Sequence, residues 1–101
     1  MTEVAGMEVA AVRFDLRLPG VGSLKEKRSV VRPLVEGARR RFGVSAAEVA
    51  DHDLWQRASV GVAVVAPDVG HAETLLRRVE DFVWSHPELE VVSAERFWLE
   101  T

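Results

Sequence analysis

The chain has 101 residues and a formal net charge of −3 at pH 7; 48% of its residues are hydrophobic and 29% are charged. This length and balance predict one globular domain with a single modest core, and they exclude a disordered or membrane-spanning chain. A net acidic chain is not a general polyanion binder, so any contact with nucleic acid has to come from a local basic patch. The absence of cysteine excludes disulfides, thiolate catalysis and thiolate metal ligands.

The first ten residues, MTEVAGMEVA, lack the positively charged region of a secretory signal, and no apolar run is long enough to span a bilayer. We therefore expect a cytoplasmic protein with no membrane partner. Residues 1–6 are predicted to be a flexible tail, and residues 7–101 are predicted to form a single domain.

The first half of the domain predicts a strand followed by a helix. Apolar side chains alternate from Ala10 to Leu18, which is typical of a half-buried strand. Ser23 and Glu26 have the spacing of a capping box, so a helix should begin there, and Gly43 is a typical stop signal. The residues expected to face the sheet recur at helical spacing: Leu24, Val31, Leu34, Val35, Ala38 and Phe42. The helix also contains Pro33, which we expect to lie opposite the core face.

The second half of the chain predicts two strands, a helix and a last strand. Residues 44–50 alternate poorly, so we expect a bulged or edge strand, whereas residues 57–66 alternate clearly. Asp68 should cap a second amphipathic helix that ends at or before His86, and a final strand should follow over residues 88–99. The order β-α-β-β-α-β predicts an α+β, ferredoxin-like fold, a four-stranded antiparallel sheet with two helices on one face.

Three blocks of sequence resemble a known family. They are SLKEKRSVVRPL at 23–34, VSAAEVADHDLWQRASVGVAVVAPD at 44–68 and ELEVVSAER at 88–96. In order and spacing these blocks are similar to the bacterial YlxP-like family of small proteins, a domain-of-unknown-function family. The resemblance implies a ferredoxin-like fold and, in some bacteria, a gene close to those for translation initiation and ribosome maturation. It implies no established activity and no catalytic residues.

The stretch DHDLWQRA at 51–58 contains the residue types that acid–base and metal chemistry use. In an extended segment His52 points away from the two flanking aspartates, so the three side chains do not converge. We interpret the stretch as a structural loop in which Leu54 and Trp55 cover the open end of the core. The chain's three histidines fall in separate segments, so we predict no catalytic residues, no metal site, no cofactor and no enzymatic activity.

A candidate anion-binding or RNA-binding surface joins the glycine turn to the first helix. Exposed amides and the positive end of a helix dipole favour an anion at such a turn, and cations on one side of a helix favour a row of phosphates. The residues of this surface are Gly20, Gly22, Ser23, Lys25, Lys27, Arg28, Arg32 and Arg39. The alternatives are a tight turn with a capped helix, and a charged face that is merely solvated.

A second candidate surface is the open face of the sheet. The outward positions of its central strands have no aromatic residue on which RNA bases would stack, unlike an RNA-recognition motif. Small outward residues instead suit close approach by another surface, such as a second copy of the sheet. The candidate interface residues are Ser59, Gly61, Ala63 and Trp98.

These surfaces leave two hypotheses open. In one, the protein is a non-enzymatic accessory factor that docks on ribosomal or other structured RNA through the basic helix. In the other, it is a homodimeric protein-interaction module that uses the open sheet face and does not bind nucleic acid. A binder of small phosphate compounds at the glycine turn is a third alternative.

Overall fold

A computed structural model describes residues 6–99 of the chain and has the predicted order of elements. The elements are β1 (Glu8–Arg17), α1 (Leu24–Phe42), β2 (Ser45–Ala50), β3 (Arg57–Ala66), α2 (Val69–Trp84) and β4 (Glu90–Trp98). The predicted tail, residues 1–6, lies outside the described residues except for Gly6.

The four strands form one antiparallel sheet in the order β2-β3-β1-β4. β1 is central and pairs with β3 from Glu8 opposite Ala66 to Arg17 opposite Arg57. Both helices, α1 and α2, pack on one face of this sheet. Each helix connects two strands that are not neighbours in the sheet. The predicted ferredoxin-like α+β fold is confirmed.

The core lies between the sheet and the two helices. Alternate residues of β1 and β3 point into it, and Phe14 and Val60 are almost completely buried. The helices contribute the predicted apolar stripes, among them Leu34 of α1 and Leu76 of α2. Among residues 6–99, neither helix combines the length and the apolar character that crossing a membrane requires.

The ends of α1 follow from its capping residues. The Ser23 hydroxyl accepts a hydrogen bond from the Glu26 amide at 3.1 Å, and the Glu26 carboxylate accepts one from the Gly22 amide at 3.0 Å. The carboxylate thus reaches one residue further back than the usual capping box. At the other end Gly43 adopts the left-handed conformation, with φ of 63°, and its amide donates to the Arg39 carbonyl. The helix continues through Pro33, which is exposed, as predicted.

The two helices approach each other closely at Gly37. A Cβ atom at this position would lie 2.8 Å from Cζ of Phe82 on α2. The Phe82 ring packs edge-on against Phe42 and His86, and the Arg41 guanidinium lies 5.0 Å from its centroid. Glycine at this position of α1 therefore leaves room for the ring.

Bulges in both edge strands change which side chains face the core. β2 shifts register against β3 between Glu48 and Ala50, which confirms the predicted irregularity. β4 shifts against β1 between Asp15 and Leu16. Beyond that shift Trp98 pairs with Ala10, whose side chain points into the core. Trp98 therefore packs against the core on the helix-covered side rather than on the open face.

Candidate functional site

Three exposed cations of α1 lie together on its solvent side. Lys25, Arg28 and Arg32 line a shallow groove with Ser29 and Pro33. Helical spacing places the three on successive turns of one face. None of them lies within 4.0 Å of a carboxylate in the part of the chain that the structure describes. We call Lys25, Arg28 and Arg32 the basic strip.

Lys27 lies on the side of α1 that faces the rest of the protein and is only 2% exposed. Its ammonium donates to the Asp51 carbonyl at 2.5 Å and to the His52 carbonyl at 3.4 Å, and it lies 2.9 Å from Glu48 Oε2. The ammonium is thus enclosed by acceptors of β2 and the following loop. An external anion has no access to it, so Lys27 is not part of the basic strip.

Arg39 is two helical turns beyond Arg32 and has a structural partner. Its Nε and Nη2 atoms donate to the Ala46 carbonyl at 3.0 and 2.6 Å, which fixes the end of α1 to β2. Of the cations at this end, Arg40 is exposed, while Arg41 is placed over the Phe82 ring. Arg39 and Arg40 extend the positive charge of α1, but they do not line the groove of the basic strip.

The glycine turn before α1 already contains an anionic partner. The Gly22 amide, which an external anion would need, donates to the Glu26 carboxylate. Ser23 caps the helix through its hydroxyl, so that group is also engaged. Gly20 is explained by backbone geometry, because its φ of 78° lies in the left-handed region that favours glycine. The turn supports the capped-helix interpretation, and the basic strip is the more accessible part of the predicted surface.

The loop over residues 51–56 is held by its backbone. Lys27 binds two of its carbonyls, and the Gln56 side-chain amide donates to the Val21 carbonyl at 3.2 Å. The prediction that Leu54 and Trp55 cover the core is wrong, because both side chains are about half exposed. The Lys27 side chain occupies the space beneath the loop, which turns the loop's carbonyls inward and its large side chains outward.

The histidines have local structural partners. His71 Nδ1 lies 2.7 Å from the carboxylate of Asp68, which also caps α2 by accepting from the His71 amide at 2.8 Å. The backbone hydrogen bond from His71 is the main cause that lowers the pKa of Asp68. His86 Nδ1 lies 2.7 Å from the Phe82 carbonyl. Across residues 6–99 no group of three histidine, aspartate or glutamate side chains is arranged to hold a metal ion.

Comparison with known proteins assigns the chain to a family. The family model described as "Protein of unknown function (DUF503)" matches residues 9–96. The chain belongs to the DUF503 family. It is also similar to "Uncharacterized protein YlxP" of Bacillus subtilis (strain 168), with 39% identity over 77 residues that cover 76% of this chain and 84% of that protein. The resemblance to YlxP-like proteins is therefore confirmed.

The open sheet face of this DUF503 protein has an apolar half. In this half, the side chains of Val49, Val65 and Phe97 surround the two small residues Gly61 and Ala63. Each of the three large side chains is about half exposed or more. Phe97 pairs with Ala11 and so lies on the open face, in the place where the sequence suggested Trp98. The sequence reasoning missed Phe97 because the bulge in β4 reverses which residues point outward.

The polar half of the open face contains a closed network of hydrogen bonds. The Ser59 hydroxyl is buried and donates to Asp15 at 2.6 Å, while Arg13 donates to Ser59 at 3.3 Å. Ser93 donates to the other oxygen of Asp15 at 3.0 Å. The hydrogen bond from Ser59 is the main cause that lowers the pKa of Asp15. Ser59 is thus covered by its neighbours, and of the predicted interface residues only Gly61 and Ala63 are accessible on this face.

Proposed function

We propose that this protein is a non-enzymatic accessory factor that docks on structured RNA, with ribosomal RNA as the first candidate, through the basic strip of α1. The observation that carries the proposal is the grouping of three exposed cations along one groove of α1. Lys27, Arg39 and Arg96 are each bound to groups of the protein. Within residues 6–99 the cations of the basic strip have no such carboxylate partner.

A row of exposed cations favours a phosphate backbone over an isolated anion. Lys25, Arg28 and Arg32 follow one another along about two turns of helix, which is a span of roughly 10 Å. Several phosphates of a nucleic-acid strand match such a row, and each contact releases condensed counterions. The net charge of −3 on the chain restricts the attraction to this face, which favours docking in one orientation. The gene neighbourhood implied by the YlxP-like resemblance supports ribosomal RNA as the partner.

The test is cosedimentation of the purified protein with ribosomal subunits across a series of salt concentrations. The variant Arg28→Glu/Arg32→Glu reverses two charges of the basic strip. The matched control, Arg77→Glu/Arg78→Glu, reverses two exposed charges on α2. We expect the wild type and the control to pellet with subunits at low salt and the strip variant to remain in the supernatant. Equal pelleting of both variants, or none by the wild type at low salt, would contradict the proposal.

The second candidate function is a homodimeric interaction module, and the apolar half of the open sheet face favours it. Val49, Val65 and Phe97 form one exposed apolar area, and such areas on small proteins mark interaction sites. The occupant that we propose for this area is the same face of a second copy of the protein. The small residues Gly61 and Ala63, which lie among the exposed apolar side chains, allow two sheets to approach closely.

Ala63 is the position at which to test this second candidate. Gly61 is less suitable because an added Cβ would lie 3.2 Å from Val49 Cγ1, so the Val49 side chain of the same face would have to move. We expect sedimentation equilibrium to show a dimer for the wild type and a monomer for Ala63→Arg, with Arg28→Glu/Arg32→Glu still dimeric. A monomeric wild type at high micromolar concentration would exclude the dimer.

A further inference from the structure

A small, partly enclosed cavity lies between α1 and the loop that follows β2. Its volume is about 180 Å³, and it is bounded on the helix by Lys27, Arg28 and Arg32 and on the other side by Glu48, His52 and Asp53. Cavities that hold drug-sized ligands usually measure about 300 Å³ or more. This one is suited to a single small ring system.

Two residues of the cavity belong also to the basic strip. Arg28 and Arg32 line both the cavity and the exposed groove that contains Lys25 and Pro33. A strand bound along the groove would therefore pass the mouth of the cavity.

Opposite the two arginines, the wall of the cavity that β2 and the following loop form offers acceptors. The ammonium of Lys27 is already directed at two carbonyls and at Glu48 Oε2. The Glu48 side chain is 23% exposed, and Asp53, an exposed residue of the loop, lines the same cavity. His52 Nε2 lies 3.1 Å from the Glu48 carbonyl, a group that only accepts, so the ring is held at this wall of the cavity by a hydrogen bond from Nε2–H.

We propose that this cavity receives one unpaired guanine base of the bound RNA, a proposal that rests on the function proposed above. Guanine presents two adjacent donors, N1–H and the N2 amino group, to a carboxylate. Adenine and cytosine each present a single amino group beside an acceptor, and uracil presents one N–H between two acceptors. Asp53 is the specificity-determining residue that we assign to this edge, and Arg28 and Arg32 hold the phosphate. Recognition of an unpaired base by its edge is the common mode of sequence-specific RNA binding.

The test measures the affinity of the full chain for a fluorescently labelled RNA hairpin whose loop contains a single guanosine among uridines. Matched hairpins replace that guanosine by inosine, which lacks the N2 amino group, or by uridine. We expect the wild type to bind the guanosine hairpin about fivefold or more tightly than either of the others. The inosine hairpin tests the base contact without any change in the protein.

The variant Asp53→Asn separates base recognition from simple charge. Removing a carboxylate near RNA strengthens binding if only electrostatics matters, whereas the proposed contact predicts about fivefold weaker binding of the guanosine hairpin and no weakening with uridine. Asp81→Asn on α2 is the matched control and should leave all affinities unchanged.

The possible outcomes distinguish this inference from the function on which it rests. Equal affinities for the three hairpins, or an Asp53→Asn variant that binds guanosine RNA as well as the wild type, overturn the guanine site. If binding in that case is still lost in Arg28→Glu/Arg32→Glu, the basic strip remains the RNA-docking surface. Failure of the wild type to bind any of the hairpins at low salt overturns both proposals.

Discussion

The two sides of the first turns of α1 have cations in opposite environments. On the inner side Lys27 is buried among Glu48 Oε2 and two loop carbonyls. On the outer side Lys25 and Arg28, its near neighbours in sequence, face solvent. The difference shows that the position of a cation around the helix axis determines whether it binds groups of the protein or faces solvent. Lys27 stabilises the fold by holding the loop after β2, and its neighbours remain available for a partner.

The largest expected effect tests the inner side. Lys27→Met leaves Glu48 without its partner and removes the donor from two loop carbonyls. We expect a loss of roughly 3 kcal/mol in the free energy of unfolding, towards the low end for a buried pair because Glu48 is partly exposed. The measurement is urea unfolding, with Lys25→Met as the exposed control, which should change stability by less than about 0.5 kcal/mol.

The double variant Lys27→Met/Glu48→Leu removes both charges of the same ion pair. With both charges removed, we expect part of the lost stability to return, because no uncompensated charge remains although the two loop carbonyls still lack their donor. Equal stability of the Lys27→Met and Lys25→Met proteins would contradict the distinction between the two sides of α1.

The next effect concerns the inner side further along α1. Gly37→Ala places a methyl group 2.8 Å from Phe82 Cζ. We expect a net loss of about 1 kcal/mol, because the cost of overpacking exceeds the gain of about 1 kcal/mol from alanine's helix propensity. Thermal unfolding measures the change. In a Phe82→Leu background the same substitution should be neutral or stabilising, and an undiminished loss there would show that the ring is not the cause.

The smallest effect concerns charge on the open sheet face. Hydrogen bonds, first from Ser59 and then from Ser93, together with Arg13, lower the pKa of Asp15 against the opposing effect of burial. A lowered carboxyl pKa contributes stability above the pKa of the unfolded chain, and this contribution is lost as the pH falls through the folded value. We expect less than about 1 kcal/mol, because the Asp15 side chain is partly exposed.

Urea unfolding between pH 7 and pH 2 measures this contribution. In Asp15→Asn the free energy of unfolding should fall less steeply as the pH is lowered, that is, the acid limb of the profile should be flatter. Ser59→Ala should make this acid limb shallower than in the wild type, because it removes the main hydrogen bond to Asp15. An acid limb that is the same in all three proteins would show that Asp15 does not link stability to pH.

Much of the fold is readable from the sequence because its signals are local. The alternation in β1 and β3, the capping pair Ser23 and Glu26, and the stop at Gly43 each act within a few residues. The orientation of Trp98 is not local, since it depends on a bulge in β4 opposite β1. Sequence patterns locate strands well. A shift of one residue between two strands, however, reverses the face of the sheet towards which every later side chain of that strand points.

The candidate site was only partly predictable. The spacing of Lys25, Arg28 and Arg32 along one helix face is visible in the sequence. Lys27 was grouped with them by its charge, although it precedes the buried Val31 by four residues and Leu34 by seven, which places it on the core stripe. The cavity beside the strip was not predictable, because it depends on where the loop after β2 crosses α1.

The central claim is that the basic strip contacts phosphates, and the salt dependence of RNA affinity tests it most directly. For a single-stranded loop each phosphate contact contributes about −0.7 to the slope of log K against log salt concentration. We predict that Arg28→Gln/Arg32→Gln makes the slope less negative by about 1.4, while Arg77→Gln/Arg78→Gln leaves it unchanged. The same slope for the wild type and the strip variant would contradict the claim.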